Sequence, residues 1–92
     1  MIKSFRCKNT RKVFEGKMVA KWSSTQKQLE RRLQVLDEAT CLEDLKHLPS
    51  NRFESLVGNR KTQFSIRVNI RWRLCFKWIE NEAHDVEMMD YH

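Results

Sequence analysis

Two arginines of one strand pair, Arg67 and Arg73, and the last three residues, Asp90, Tyr91 and His92, are the side chains best suited to chemistry in this 92-residue chain. A guanidinium is a planar fork of donors that matches a phosphate, and two of them on one rigid face grip it from two directions. A carboxylate, a phenol and an imidazole can hold or move protons, and imidazole titrates near neutral pH. The set suits phosphodiester cleavage in RNA. The arginines would stabilise the charge of a phosphorane-like transition state, while an acid and a base serve the 2′-OH and the leaving 5′-oxygen. That transesterification needs neither metal nor cofactor. As metal ligands His47, His84 and His92 are scattered, and Asp90 with His92 makes only two. His47, in a connector, and His84, beside a turn, read as surface residues.

The elements that must position this set are strands. In "QFSIRVNIRWRLCFKWI", Phe64, Ile66 and Val68 share one face, and Trp72, Leu74, Phe76 and Trp78 share another. Putting both sets on one side of an antiparallel pair sets Val68 against Trp72, Ile66 against Leu74 and Phe64 against Phe76, with a three-residue turn at 69–71. Arg67 then lies across from Arg73, and Ser65 across from Cys75. Like charges directly opposite are destabilising, so an anionic ligand is the expected reason for the pair. For the last hairpin, matching apolar to apolar pairs Trp78 with Val86, Phe76 with Met88 and Lys77 with Glu87, around a loop Asn81-Glu82-Ala83. Tyr91 would then face Arg73, with Asp90 and His92 at the sheet edge. A register one residue off would set Asp90 against Arg73 instead.

Upstream, "MIKSFR" reads as a short strand. Asn9 or Thr10 would cap a stub helix through Val13 and Phe14 that Gly16 ends. Ser23, Ser24 and Thr25 offer caps for the main helix, from about 24 to 39, with Leu29, Leu33 and Leu36 on its buried face. Lys27, Arg31, Arg32 and Asp37 fall mostly off that face and read as solvated. A connector follows, held down by Leu42, Leu45 and Leu48, in which Pro49 stops any helix and Gly58-Asn59 turns. Strands are predicted over 53–57, 63–68, 71–79 and 84–91. Trp22, Trp72 and Trp78 read as core.

Length allows one domain, 1–92. Lys plus Arg number 18 against 12 acids, a net charge of +6, which points to a polyanionic partner. Three well-separated cysteines indicate neither a disulfide framework nor a zinc ribbon and fit a reducing cytoplasm. No apolar run is long enough to span a membrane, and the charged opening is unlike an export leader.

The segments "MIKSF", "RRLQVLDEAT", "LVGNR", "SIRVNIRWRLCFKW" and "DVEMMDYH" together resemble HigB-type toxins of the RelE superfamily, the plasmid-maintenance or proteic killer proteins, over nearly the whole chain. The resemblance implies a small α+β domain, two N-terminal helices packed on a mainly antiparallel sheet of four to five strands. It implies an endoribonuclease that cuts mRNA in the ribosomal A site by 2′-OH attack, leaving a 2′,3′-cyclic phosphate. A HigA-like helix-turn-helix antitoxin would be the partner, and operator DNA would be met only through that complex. The family's catalytic positions carry over onto Arg67, Arg73, Asp90, Tyr91 and His92. Related sequences often have a lysine where this chain has Val57, so Arg60 or Lys61 would reach the phosphate from that turn. Arg71 adds charge at the hairpin tip, and Lys77 completes the expected RNA-binding set. The alternative is a non-catalytic RNA- or ribosome-binding module using the same face to dock. A DNA-binding regulator is disfavoured, because the main helix has no turn-linked recognition helix.

Overall fold

A computed structural model describes residues 1–55 and 63–90. Its elements run α1 (Lys8–Phe14), α2 (Gln26–Glu38), α3 (Leu42–Lys46), β1 (Glu54–Ser55), β2 (Gln63–Arg67), β3 (Trp72–Ile79) and β4 (Glu82–Asp90), with 3₁₀ turns at Ala20–Trp22 and Pro49–Asn51. The strands form an antiparallel sheet in the order β1-β2-β3-β4. The expected α+β layout is thus present. No helix among the described residues is long and apolar enough to cross a membrane.

The helical period of α2 buries Leu29, Leu33 and Leu36 against Ile66, Leu74, Phe76 and Val86 of the sheet. Trp22 is buried in this core as expected, edge-on to Trp72 at 6.0 Å. Gly16, at φ 89°, ends α1 as expected: its N–H reaches the Val13 carbonyl and that of Lys17 the Lys12 carbonyl. The expected N-terminal strand is two parallel bridges, Ile2 to Ala83 and Phe5 to Val86, along the outer edge of β4.

Three parts differ from expectation. The chain has a third helix, α3, where only a connector was predicted; at five residues it is too short to show a period. Leu45 is buried there as expected, whereas Leu48 is exposed. The Asp44 carboxylate accepts from the Thr40 N–H (2.9 Å) and hydroxyl (3.0 Å), which holds its pKa below the usual carboxylate value. On α2, Arg32 and Asp37 are tethers rather than solvated charges. Asp37 accepts from the Ile2 N–H at 2.9 Å, and half-buried Arg32 donates to Asn51 Oδ1 at 2.8 Å. Burial, with the neighbouring Arg31 charge, lowers the Arg32 pKa.

The third difference is the register of the last hairpin. β2 and β3 pair as expected, Phe64 with Phe76, Ile66 with Leu74 and Arg67 with Arg73. Between β3 and β4, however, Ile79 pairs with Glu82 around a two-residue turn, Glu80-Asn81, both at positive φ (51° and 63°). A bulge then sets two residues, Asp85 and Val86, against the single Phe76, with Asp85 at φ 52°. Ser4 holds the bulge, its hydroxyl accepting from the Asp85 N–H at 2.9 Å. The result sets Met88 against Leu74, Met89 against Arg73 and Asp90 against Trp72. This register also matches apolar to apolar, so patterning did not distinguish it from the expected one; turn length and the bulge did.

Candidate functional site

Arg67 and Arg73 face each other across β2 and β3, on the side of the sheet away from α2, because Ile66 and Leu74 take the other side. With Arg52, Asn69 and Ile70 they line an open surface cleft of about 270 Å³. Arg73 is 7% exposed, and a charge so placed must be paired. Its Nε donates to Ser65 Oγ at 2.9 Å, and one terminal nitrogen donates to the carbonyl oxygens of Arg52 and Ser65. The other lies 3.9 Å from Glu54 of β1. Arg73 is therefore a fixed positive charge in the cleft wall, not a mobile fork. Half-buried Arg67 and exposed Arg52 supply the more adaptable guanidinium groups.

Arg52 is a cleft residue that sequence reasoning missed. It follows the Pro49–Asn51 turn in the left-handed region, φ 42°, which no local pattern in "PSNRF" announces. Buried Asn51 sets it in place: its side-chain amide donates to the Leu45 carbonyl at 3.0 Å while its oxygen takes the Arg32 bond. A chain of contacts thus runs from α2 through Asn51 to the Arg52 carbonyl and on to Arg73.

The tip of the β2–β3 hairpin forms the other wall. Asn69 Oδ1 accepts from the N–H groups of Arg71 (2.9 Å) and Trp72 (3.0 Å), and Asn69 Nδ2 donates to Gln28 Oε1 at 3.0 Å. Ile70 stands 86% exposed at the tip.

The other expected site residues are placed differently. Asp90 pairs with Arg71, Nε to Oδ2 at 2.8 Å, and by alternation shares the side of Met88, not that of Arg67 and Arg73. The expected position of Tyr91 opposite Arg73 is corrected, since Met89 stands there. Arg71 is engaged with Asp90, not projecting alone. Lys77 pairs with Asp85 at 3.4 Å instead of the expected Glu87, which lies 3.5 Å from Arg6. Four residues along β3 from Arg73, Lys77 stands roughly 13 Å from it, outside the cleft. Arg60, Lys61, Val57, Tyr91 and His92 lie outside the described residues.

Residues 3–92 match the family described as the RelE-like toxin of type II toxin-antitoxin system HigB. The chain is 34% identical to a Proteus vulgaris protein named Endoribonuclease HigB, with 100% of both chains covered. It is 48% identical over 61 residues to Toxin HigB-1 of Vibrio cholerae serotype O1 (strain ATCC 39315 / El Tor Inaba N16961), a stretch spanning 66% of this chain and 64% of that relative. Among solved structures, a chain of the heterotetrameric YoeB-YefM toxin-antitoxin complex from Staphylococcus aureus matches with a TM-score of 0.57 at 14% identity, covering 100% of this chain and 98% of that one. The YoeB/ParE toxin from Agrobacterium tumefaciens matches with a TM-score of 0.57 at 13% identity, covering 99% and 100%. At such identities the structural likeness speaks to fold alone. The match across 3–92, with a relative 34% identical end to end, means that the chain belongs to the HigB-like family of RelE-like toxins of type II toxin-antitoxin systems.

Proposed function

We propose that this protein is the toxin of a type II toxin-antitoxin pair and acts in the cytoplasm as an endoribonuclease, cutting mRNA in the ribosomal A site. The observation that carries the reading is the convergence of Arg52, Arg67 and Arg73 on one open cleft. A full-length relative named Endoribonuclease HigB supports it. Attack of a 2′-OH on the adjacent phosphorus adds negative charge to the phosphoryl oxygens. A guanidinium already fixed by Ser65 and the Arg52 carbonyl meets that charge without reorganising, which is where electrostatic stabilisation is most effective. Arg67 and Arg52 close on the phosphate, and Arg60, Lys61 and Lys77 extend the positive field along the RNA. Tyr91 and His92 are assigned the proton transfers that deliver a 2′,3′-cyclic phosphate and a free 5′-OH, a route that needs no metal. A HigA-like helix-turn-helix antitoxin is the proposed partner, and operator DNA is met through that complex.

Mapping mRNA 5′-ends in translating cells after induction tests this. New ends should keep a fixed phase with the A-site codon, and Arg73→Ala should lower their yield by about a hundredfold. Ends without regard to frame, or undiminished cutting by Arg73→Ala, would sink the reading. Translation arrest without new ends would favour a docking module.

A further inference from the structure

We infer that Asp90 is a strut rather than a proton carrier: through Arg71 it ties the end of β4 to the tip of the β2–β3 hairpin and so positions the edge of the cleft. The inference rests on the proposed cleavage for its activity readout. Three observations carry it. First, the aim of the carboxylate is wrong for the cleft. Asp90 stands opposite Trp72, on the side of the sheet that Met88 takes, whereas Arg67 and Arg73 occupy the other side.

Second, its partner is already defined. Asp90 Oδ2 accepts a charge-assisted hydrogen bond from Arg71 Nε at 2.8 Å. An isolated exposed pair contributes little, because ordering two flexible side chains offsets the attraction. Here much of that ordering is in place before the pair forms. The Arg71 guanidinium carbon lies 5.2 Å from the centre of the Trp72 ring, and the Arg71 N–H is held by Asn69 Oδ1 at 2.9 Å.

Third, the anchor reaches the helical layer. Asn69 Nδ2 donates to Gln28 Oε1 (3.0 Å) and Thr25 Oγ1 (3.4 Å) at the start of α2. A continuous path therefore runs from α2 through Asn69 and Arg71 to Asp90, the residue from which the chain continues into Tyr91 and His92. Asn69 also lines the cleft, so the same path fixes one cleft wall and the end of β4 relative to each other.

The test compares Arg71→Ala, Asp90→Ala, the double variant, Asp90→Asn and the exchanged pair Arg71→Asp/Asp90→Arg, measuring cleavage on programmed ribosomes. A strut predicts that each alanine variant loses about tenfold in kcat, and that the double variant loses no more than either alone. Asp90→Asn, whose side-chain oxygen still accepts the Arg71 N–H, should stay within about threefold of the parent, and the exchanged pair should recover most of the activity. An Asp90→Asn variant as inactive as Asp90→Ala, alongside near-parental Arg71→Ala, would overturn the inference. So would losses that multiply in the double variant. A second readout is independent of cleavage: the Arg71 Nε–H resonance should be slow to exchange in the parent and in Asp90→Asn, and lose that protection in Asp90→Ala. Fast exchange in the parent would overturn the strut even if cleavage is confirmed. An uncut message with a protected resonance would instead count against the proposed function alone.

Discussion

The two hairpins that share β3 are built on different rules. In the β2–β3 hairpin, pairing is regular from Phe64–Phe76 to Arg67–Arg73, and the irregular chemistry is confined to the tip, where Asn69 binds two backbone N–H groups. In the β3–β4 hairpin the tip is a two-residue turn, and the irregularity lies inside the strand, at Asp85. The difference follows from what each face must carry. Strict alternation keeps Arg67 and Arg73 side by side on one face. The bulge lets Ala83, Val86 and Met88 all reach the core although their spacing is three and then two residues.

The largest expected effect breaks the regular hairpin. Arg73→Lys keeps the charge but loses the planar donors that meet Ser65 and the Arg52 carbonyl, so cleavage should fall by about a hundredfold. A variant within a few-fold of the parent would show that point charge alone suffices. Next comes Ala83→Leu in the bulged hairpin. The position is 0% exposed, and overpacking there should cost about 1–3 kcal/mol in urea denaturation. Smaller effects compare the two irregularities directly. Asn69→Ala removes acceptors from two N–H groups at the tip and should cost about 1–2 kcal/mol, with reduced cleavage. Ser4→Ala frees only the bulge and should cost about 1 kcal/mol, with cleavage unchanged. If Ser4→Ala impaired cleavage as much as Asn69→Ala, the two hairpins would not be functionally separable.

The smallest effect lies outside both hairpins and serves as a baseline. Hydrogen bonds from Thr40 depress the Asp44 pKa in the folded chain. An acid with a depressed folded-state pKa stabilises fully above its ordinary value, and that contribution is lost as pH falls through the depressed one. Amide protection at Thr40 should therefore decline only in acid, below the usual carboxylate range, and Asp44→Asn should flatten that dependence.

Much of this was legible because two periodicities are strong. The leucines of α2 and the alternation through Phe64–Val68 and Trp72–Phe76 placed the helix, the first hairpin and the Arg67–Arg73 pair. The bulge was not legible, because two registers of the last hairpin satisfy the same apolar pattern and Asp85 in the left-handed region carries no signature of its own. Arg52 escaped for a similar reason. Its backbone angle and its carbonyl, not its side-chain type, tie it to Arg73, and both depend on Asn51 being buried between α2 and α3.

Local order in the chain, period and side-chain type together, was enough to specify the layers and the first register, since both follow from which residues must leave water. The partner of Asp90, the Arg52 carbonyl that helps to hold Arg73 and the setting of the third arginine of the cleft arise between residues 19 to 21 positions apart. Nothing local encodes them. They depend on where a turn of two residues and a single bulge bring the strand ends, and that is decided only when the sheet closes against the helices.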